Sequence, residues 1–111
     1  VEVFWVLCLN RKSRLIRKVD LTIGTATHTL VAPREVFRAA MREGPCCSVA
    51  VAHNHVSGDP SPSRQDIELT RILYAAAKTM EIGFRDHVVL GRRSADPQGN
   101  GFFSFWQAGL L

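Results

Sequence analysis

"AHNHVSGDPSPSRQD", residues 52–66, decides how this chain is read. Its first residues close an apolar run, "CSVAVAH" at 47–53, that has the length of a strand. In a strand, residues two apart share a face, so His53 and His55 project side by side if the strand persists that far. Residues 56–62 contain one Gly and two Pro, which lets the chain turn sharply and stay stiff. Ser63 is a natural helix N-cap, and Asp66 gives it the spacing of a capping-box variant. A carboxylate in the first helical turn is favoured by the helix dipole. The loop can bring that carboxylate back towards the two imidazoles.

Upstream, "VFWVLCL" at 3–9 is a continuous apolar run, as in a strand covered on both faces. "NRKS" is a polar turn. From Arg17 to Ile23 the pattern alternates, with Val19, Leu21 and Ile23 on one face, and predicts a half-buried hairpin partner that Gly24 ends. Pro33 suits the first turn of a helix running to about Glu43, with Val36, Phe37, Ala40 and Met41 as its apolar stripe and Gly44–Pro45 as its stop. Downstream, Arg64 to about Glu81 reads as a second helix with Leu69, Ile72, Leu73, Ala76 and Met80 on one face. "FRDHVVLG" at 84–91 is a fourth strand. A turn-rich "RRSADPQGN" then leads to the apolar tail "GFFSFWQAGLL". The order strand, strand, helix, strand, helix, strand indicates one sheet with helices packed against it.

The 111 residues suit one domain with a real core. No apolar run approaches the ~20 residues of a membrane span, and nothing reads as a signal peptide. The chain opens on Val, as a piece of a longer protein would. Cys8, Cys46 and Cys47 are odd in number, and Cys8 and Cys47 lie in apolar runs, so reduced, buried thiols in a cytoplasmic protein are expected. With no C-x-x-C pair, a thiolate metal site is not expected. The net charge is +4, with basic residues clustered at 11–18 and at Arg92–Arg93. A solvated basic hairpin accounts for this. Weak, non-specific nucleic-acid binding is the alternative, and no aromatics interleave with the charges to stack bases.

Neutral imidazole is a common zinc ligand. His53, His55 and Asp66 together would leave one tetrahedral position for water, the open arrangement of a catalytic zinc. Singly, these residues read as ordinary strand-end histidines and helix caps. Together they spell His-x-His, seven residues, Ser, two residues, Asp. His87 beside Asp86 offers either support behind a ligand or a device that fixes strand packing or a nearby loop. His28, in a Thr-rich stretch, is expected to be exposed.

In this order the residues resemble the JAMM (MPN+) metalloprotease motif, and more closely the MPN domain of bacterial RadC-type proteins. "PREVFRAAMREG", "AHNHVSGDPSPSRQDIELT", "RDHVVLG" and the closing "GLL" carry the resemblance over nearly the whole chain. It implies a single MPN/JAB domain over 1–111, an α/β (α+β) fold with a mixed central sheet flanked by helices, cytidine-deaminase-like. It implies one Zn2+ per chain on His53, His55 and Asp66, with Glu2, at the start of the first strand, as the catalytic acid and base. Glu35 is the rival glutamate, but its place in "PRE" does not match. Ser63 takes a role near the oxyanion. The implied activity is cleavage of a peptide or isopeptide bond in a protein or peptide substrate by zinc-activated water. The competing class is a DNA-repair-associated nucleic-acid-binding or non-catalytic scaffold module; scaffold relatives lose the ligands, which this chain keeps. Val56 departs from the family in standing where most relatives have Pro, which would loosen the loop. "SFWQAGLL" departs in lacking an acidic residue followed by Arg. The helix-hairpin-helix segment that commonly precedes such domains does not occur in this sequence.

Overall fold

A computed structural model describes residues 2–24, 31–42 and 46–111. Strand β1 (Glu2–Leu9) and strand β2 (Leu15–Gly24) form the expected hairpin, followed by helix α1 (Pro33–Arg42) and strand β3 (Ser48–Asn54). Helix α2 (Arg64–Thr79) leads to strand β4 (Gly83–Leu90), a single 3-10 turn (Arg93–Ala95) and strand β5 (Phe102–Ser104). The sheet order is β2-β1-β3-β4-β5, antiparallel throughout except for the parallel β3–β4 pair. A parallel pair needs a crossover, and α2 supplies it. The result is an α+β domain built on a mixed five-stranded sheet, as expected.

β3 is central and buried from Ser48 to His53, which explains its unbroken apolar sequence. Phe4, Val6 and Cys8 of β1 and Val49 and Val51 of β3 point into one core with Val36, Phe37 and Ala40 of α1 and Leu73 and Ala77 of α2. Both helices therefore cover the same face of the sheet. Burying Phe37 or Leu73 stabilises this layer by roughly 1.5–3 kcal/mol each. The other side chains of β1, Val3, Trp5 and Leu7, are only half-buried, so β1 is not covered equally on both faces.

Several expected details are corrected. Met41 of α1 is exposed, and Ala39 is buried in its stead. Ile72 of α2 and Met80, its C-cap, face solvent, and the buried stripe is Thr70, Leu73 and Ala77, flanked by the partly buried Leu69 and Ala76. Thr70 can sit inside because its hydroxyl donates to the Asp66 carbonyl at 2.7 Å. Cys8 is buried as expected, but Cys46 is half-buried and Cys47 exposed, because β3 begins only at Ser48. Part of the apolar tail is β5, which pairs with the end of β4. His28, Gly44 and Pro45 lie outside the described residues. No helix among the described residues is long and apolar enough to cross a membrane.

Candidate metal centre

β3 carries the first two groups to the end of the sheet. Phe4 of β1 lies opposite His53 in register and stacks on its ring, planes 13° apart. One residue on, the Asn54 side chain accepts the Val3 amide at 2.7 Å, so β1 and β3 stay locked at the last pair. The His55 amide donates to the Leu90 carbonyl of β4. The strand conformation thus lasts long enough to present both imidazoles together, their centroids 5.1 Å apart.

The loop after His55 is tied down at both ends. The Gly58 amide donates to the His55 carbonyl, and the Gly58 carbonyl accepts from the Arg92 amide at 2.7 Å. Arg92 also donates to the Ser57 carbonyl, and Asp59 accepts from the amide and hydroxyl of Ser61. These bonds hold the loop with Val56 in place of Pro. Ser63 then caps α2: its hydroxyl accepts from the Asp66 amide at 3.0 Å, and its own amide donates to Asp66 Oδ2 at 2.8 Å. Both arms of the box orient the carboxylate.

That carboxylate meets the two rings. His53 Nε2 is 3.1 Å from Asp66 Oδ1, and His55 Nε2 is 2.9 Å from Oδ2. One ligating atom from each residue lies within 4.8 Å of the others. Burial pushes the Asp66 carboxyl up, but hydrogen bonds to His53, to His55 and from the Ser63 amide outweigh it, leaving the group far below the ordinary carboxylate range. The hydrogen bond to Asp66 raises the His55 pKa against the opposing effect of burial, helped by the Asp59 carbonyl and by the charges of Asp66 and Glu2.

Each imidazole is also held from behind. His55 Nδ1 lies 2.9 Å from the Asp59 carbonyl, and His53 Nδ1 lies 2.9 Å from His87 Nε2. His87 is fully buried between His53 and the stacked Phe105, and its Nδ1 is 2.6 Å from the Thr70 hydroxyl. Burial, with the neighbouring His53, lowers the His87 pKa to about 3. Asp86 does not contact this ring. It accepts from the amides of His87 and Trp106 and from the Ser104 hydroxyl, so it fixes the closing segment against β4. The pair thus divides: His87 backs the His53 ring, and Asp86 fixes the closing segment.

Glu2 begins β1 two residues before Phe4, and its charge is felt at His55. Glu35 lies elsewhere, in a groove between β2 and α1 with Arg17, Arg34, Arg38 and Arg42. Ser63 is exposed at the mouth of the site. Sequence reasoning missed Thr70 and the Asp59 carbonyl. A Thr on an otherwise apolar helix face was the available signal for the first; nothing in the sequence marks a backbone carbonyl.

The donor set fits a zinc ion. Both Nε2 atoms face one ionised carboxylate, and both Nδ1 atoms are engaged elsewhere, as metal-binding imidazoles are. The two short approaches, 3.1 and 2.9 Å, run to different oxygens of Asp66, and one ligating atom from each of the three residues lies within 4.8 Å of the others.

A family model described as a RadC-like JAB domain matches residues 1–110. The chain is 42% identical over 110 residues to a UPF0758 protein of Trichlorobacter lovleyi, covering 99% of this chain and 44% of that protein. To a UPF0758 protein of Trichormus variabilis it is 51% identical over 90 residues, covering 81% and 37%. To one of Thermotoga maritima it is 40% identical over 110 residues, covering 99% and 46%. The chain thus spans less than half the length of these relatives.

Proposed function

Because this chain belongs to the RadC-like JAB domain family, whose wider superfamily includes metalloproteases, we propose that it is a zinc-dependent hydrolase of peptide or isopeptide bonds. The observation that carries the reading is the convergence of His53, His55 and Asp66, with ligating atoms within 4.8 Å of one another. Two imidazole nitrogens and one carboxylate oxygen suit zinc and would leave a position open for chemistry.

These three side chains would hold the ion, which when bound supplies a Lewis acid and a water acidified to a pKa of roughly 7. Glu2 takes the proton from the attacking water and returns it to the leaving amine. The reach of its charge to His55 supports this role. The Ser63 hydroxyl spends an acceptor site on the Asp66 amide and keeps its own proton to give. That proton is available to the carbonyl oxygen of the substrate as negative charge develops on it. The phenyl ring of Phe4 against His53 shields the floor of the site from water.

The test is metal analysis of protein purified without added zinc, with a peptide-hydrolysis screen alongside. About one zinc per chain is expected, lost in the His53→Ala, His55→Ala double variant. Full zinc occupancy in that variant would sink the assignment.

A further inference from the structure

Asp66 reaches the imidazole of His53 by two routes. Its carboxylate faces Nε2 directly. Its backbone carbonyl reaches Nδ1 through Thr70 and His87, in a line of contacts at 2.7, 2.6 and 2.9 Å. All the side chains between are buried, and no buried side-chain nitrogen or oxygen among the described residues lacks a partner. We propose that Thr70 and His87 are positioning residues that fix the protonation of His53, keeping its proton on Nδ1 and its Nε2 lone pair aimed at the metal.

The argument is a count of protons. A threonine hydroxyl has one proton to donate and two acceptor sites. Thr70 commits its proton to the Asp66 carbonyl, so towards His87 it can only accept. The proton of His87 must then sit on Nδ1. His53 turns Nε2 to the site and Nδ1 to His87, so a cation on Nε2 leaves the ring's one proton on Nδ1, donated to His87. His87 Nε2 is therefore an acceptor, and the hydrogen bond to His53 exists only if His53 Nδ1 donates. The remaining nitrogen of His53, Nε2, is free for a cation.

Back-bonding from Thr to the carbonyl four residues earlier is ordinary in helices, and Thr79 does the same to Ala75 on the exposed face of α2. Thr70 differs in also facing a buried ring nitrogen. The hydroxyl is thus more than a local helix bond: it gives the line its direction. The stack of Phe105 on His87, planes 9° apart, holds the ring in place for both contacts.

This inference rests on the reading of His53 as a metal ligand, and its test separates the two. Long-range proton–nitrogen NMR on the metal-free and zinc-loaded chain reads the tautomer of each histidine. His87 is expected with its proton on Nδ1 in both states. Zinc affinity is measured by chelator competition. Thr70→Val keeps the shape and removes the acceptor, so His87 is released to move its proton to Nε2, and zinc affinity should fall ~10–100-fold. Thr70→Ser should restore both. His87→Phe keeps the aromatic packing and should lose affinity in the same range, while His87→Gln, with an acceptor and a donor side by side, should recover much of it. Failure of the wild-type chain to bind zinc would overturn the proposed function and leave the His87 tautomer still readable. A proton on His87 Nε2 in the wild type, or wild-type zinc affinity in Thr70→Val, would overturn the inference itself.

Discussion

Gly91 lies so close to Gly58 that a Cβ on Gly91 would overlap the Gly58 carbonyl oxygen and press on the Pro60 ring. This contact joins the end of β4 to the loop that runs from His55 to the capping box of α2. The residue after Gly58 is Asp59, whose carbonyl holds His55 Nδ1.

Gly91→Ala should therefore displace the loop. We expect a loss of ~1–3 kcal/mol, as for other overpacked sites, and roughly tenfold weaker zinc binding through His55. Gly99 supplies the control: its φ is +75°, but a Cβ there meets nothing within 4 Å. Gly99→Ala should cost stability through backbone strain and leave zinc affinity unchanged. Denaturant melts and chelator competition on both variants check the contrast. Equal zinc affinity in both would count against a loop that positions His55.

Glu2→Gln should keep its zinc and lose hydrolysis by ~10²–10⁴-fold. Glu35→Gln should do neither, since Glu35 sits in the groove between β2 and α1. Turnover and metal content of the two variants decide the matter, once a peptide library has supplied a substrate. Unchanged turnover in Glu2→Gln, with Glu35→Gln dead, would mean the wrong carboxylate is assigned.

Ser63→Ala should cost ~0.5–2 kcal/mol through the lost cap. If the hydroxyl also donates to the substrate oxygen, kcat should fall by up to ~10²–10³-fold with zinc still bound. Ser63→Asp keeps a capping acceptor and removes the donor, so it should be folded and slow. Wild-type kcat in Ser63→Ala would leave the cap as the residue's whole role.

Acid should destabilise the metal-free protein through His87. Its pKa falls from 6.5 in the unfolded chain to about 3 in the native state. As pH drops from 6.5 towards 3, the unfolded chain binds a proton that the native chain refuses, so stability declines by roughly 1.4 kcal/mol per pH unit. His55 works the other way: its raised pKa gives stability that is full below 6.5 and fades as pH rises through the folded value. Asp66, strongly lowered, keeps its contribution until the pH falls below the ordinary carboxylate range. Between about pH 5 and 5.5, above the range where Asp66 and the likewise lowered Asp59 and Asp96 lose their contributions, His87 sets the slope. Urea melts in that window should show a steeper pH slope for the wild type than for His87→Phe. Parallel slopes would refute it.

The triad was legible because its chemistry is local: a strand end, a stiff loop and a cap specify each other within one short segment. The faces of the helices were less so. Ile72 and Met80 were assigned inward because they are apolar, whereas Thr70 takes the inward position because the backbone of its own helix and His87 satisfy its hydroxyl. Strand β5 was hidden for a related reason. Three residues are too few to show a period, and their place is set by pairing with β4 and by the hold of Asp86 on Ser104 and Trp106.

The spacing of the contacts also bears on how the molecule folds. His55 and Asp66 are 11 residues apart, while His53 and His87 are separated by 34 and Val3 and Asn54 by 51. Closing a short loop costs little chain entropy, and long-range pairing costs more. On the proposed function, a cation would gather its three ligands within one short segment, and the strands that flank β3 would add Glu2 from β1 and His87 from β4 afterwards.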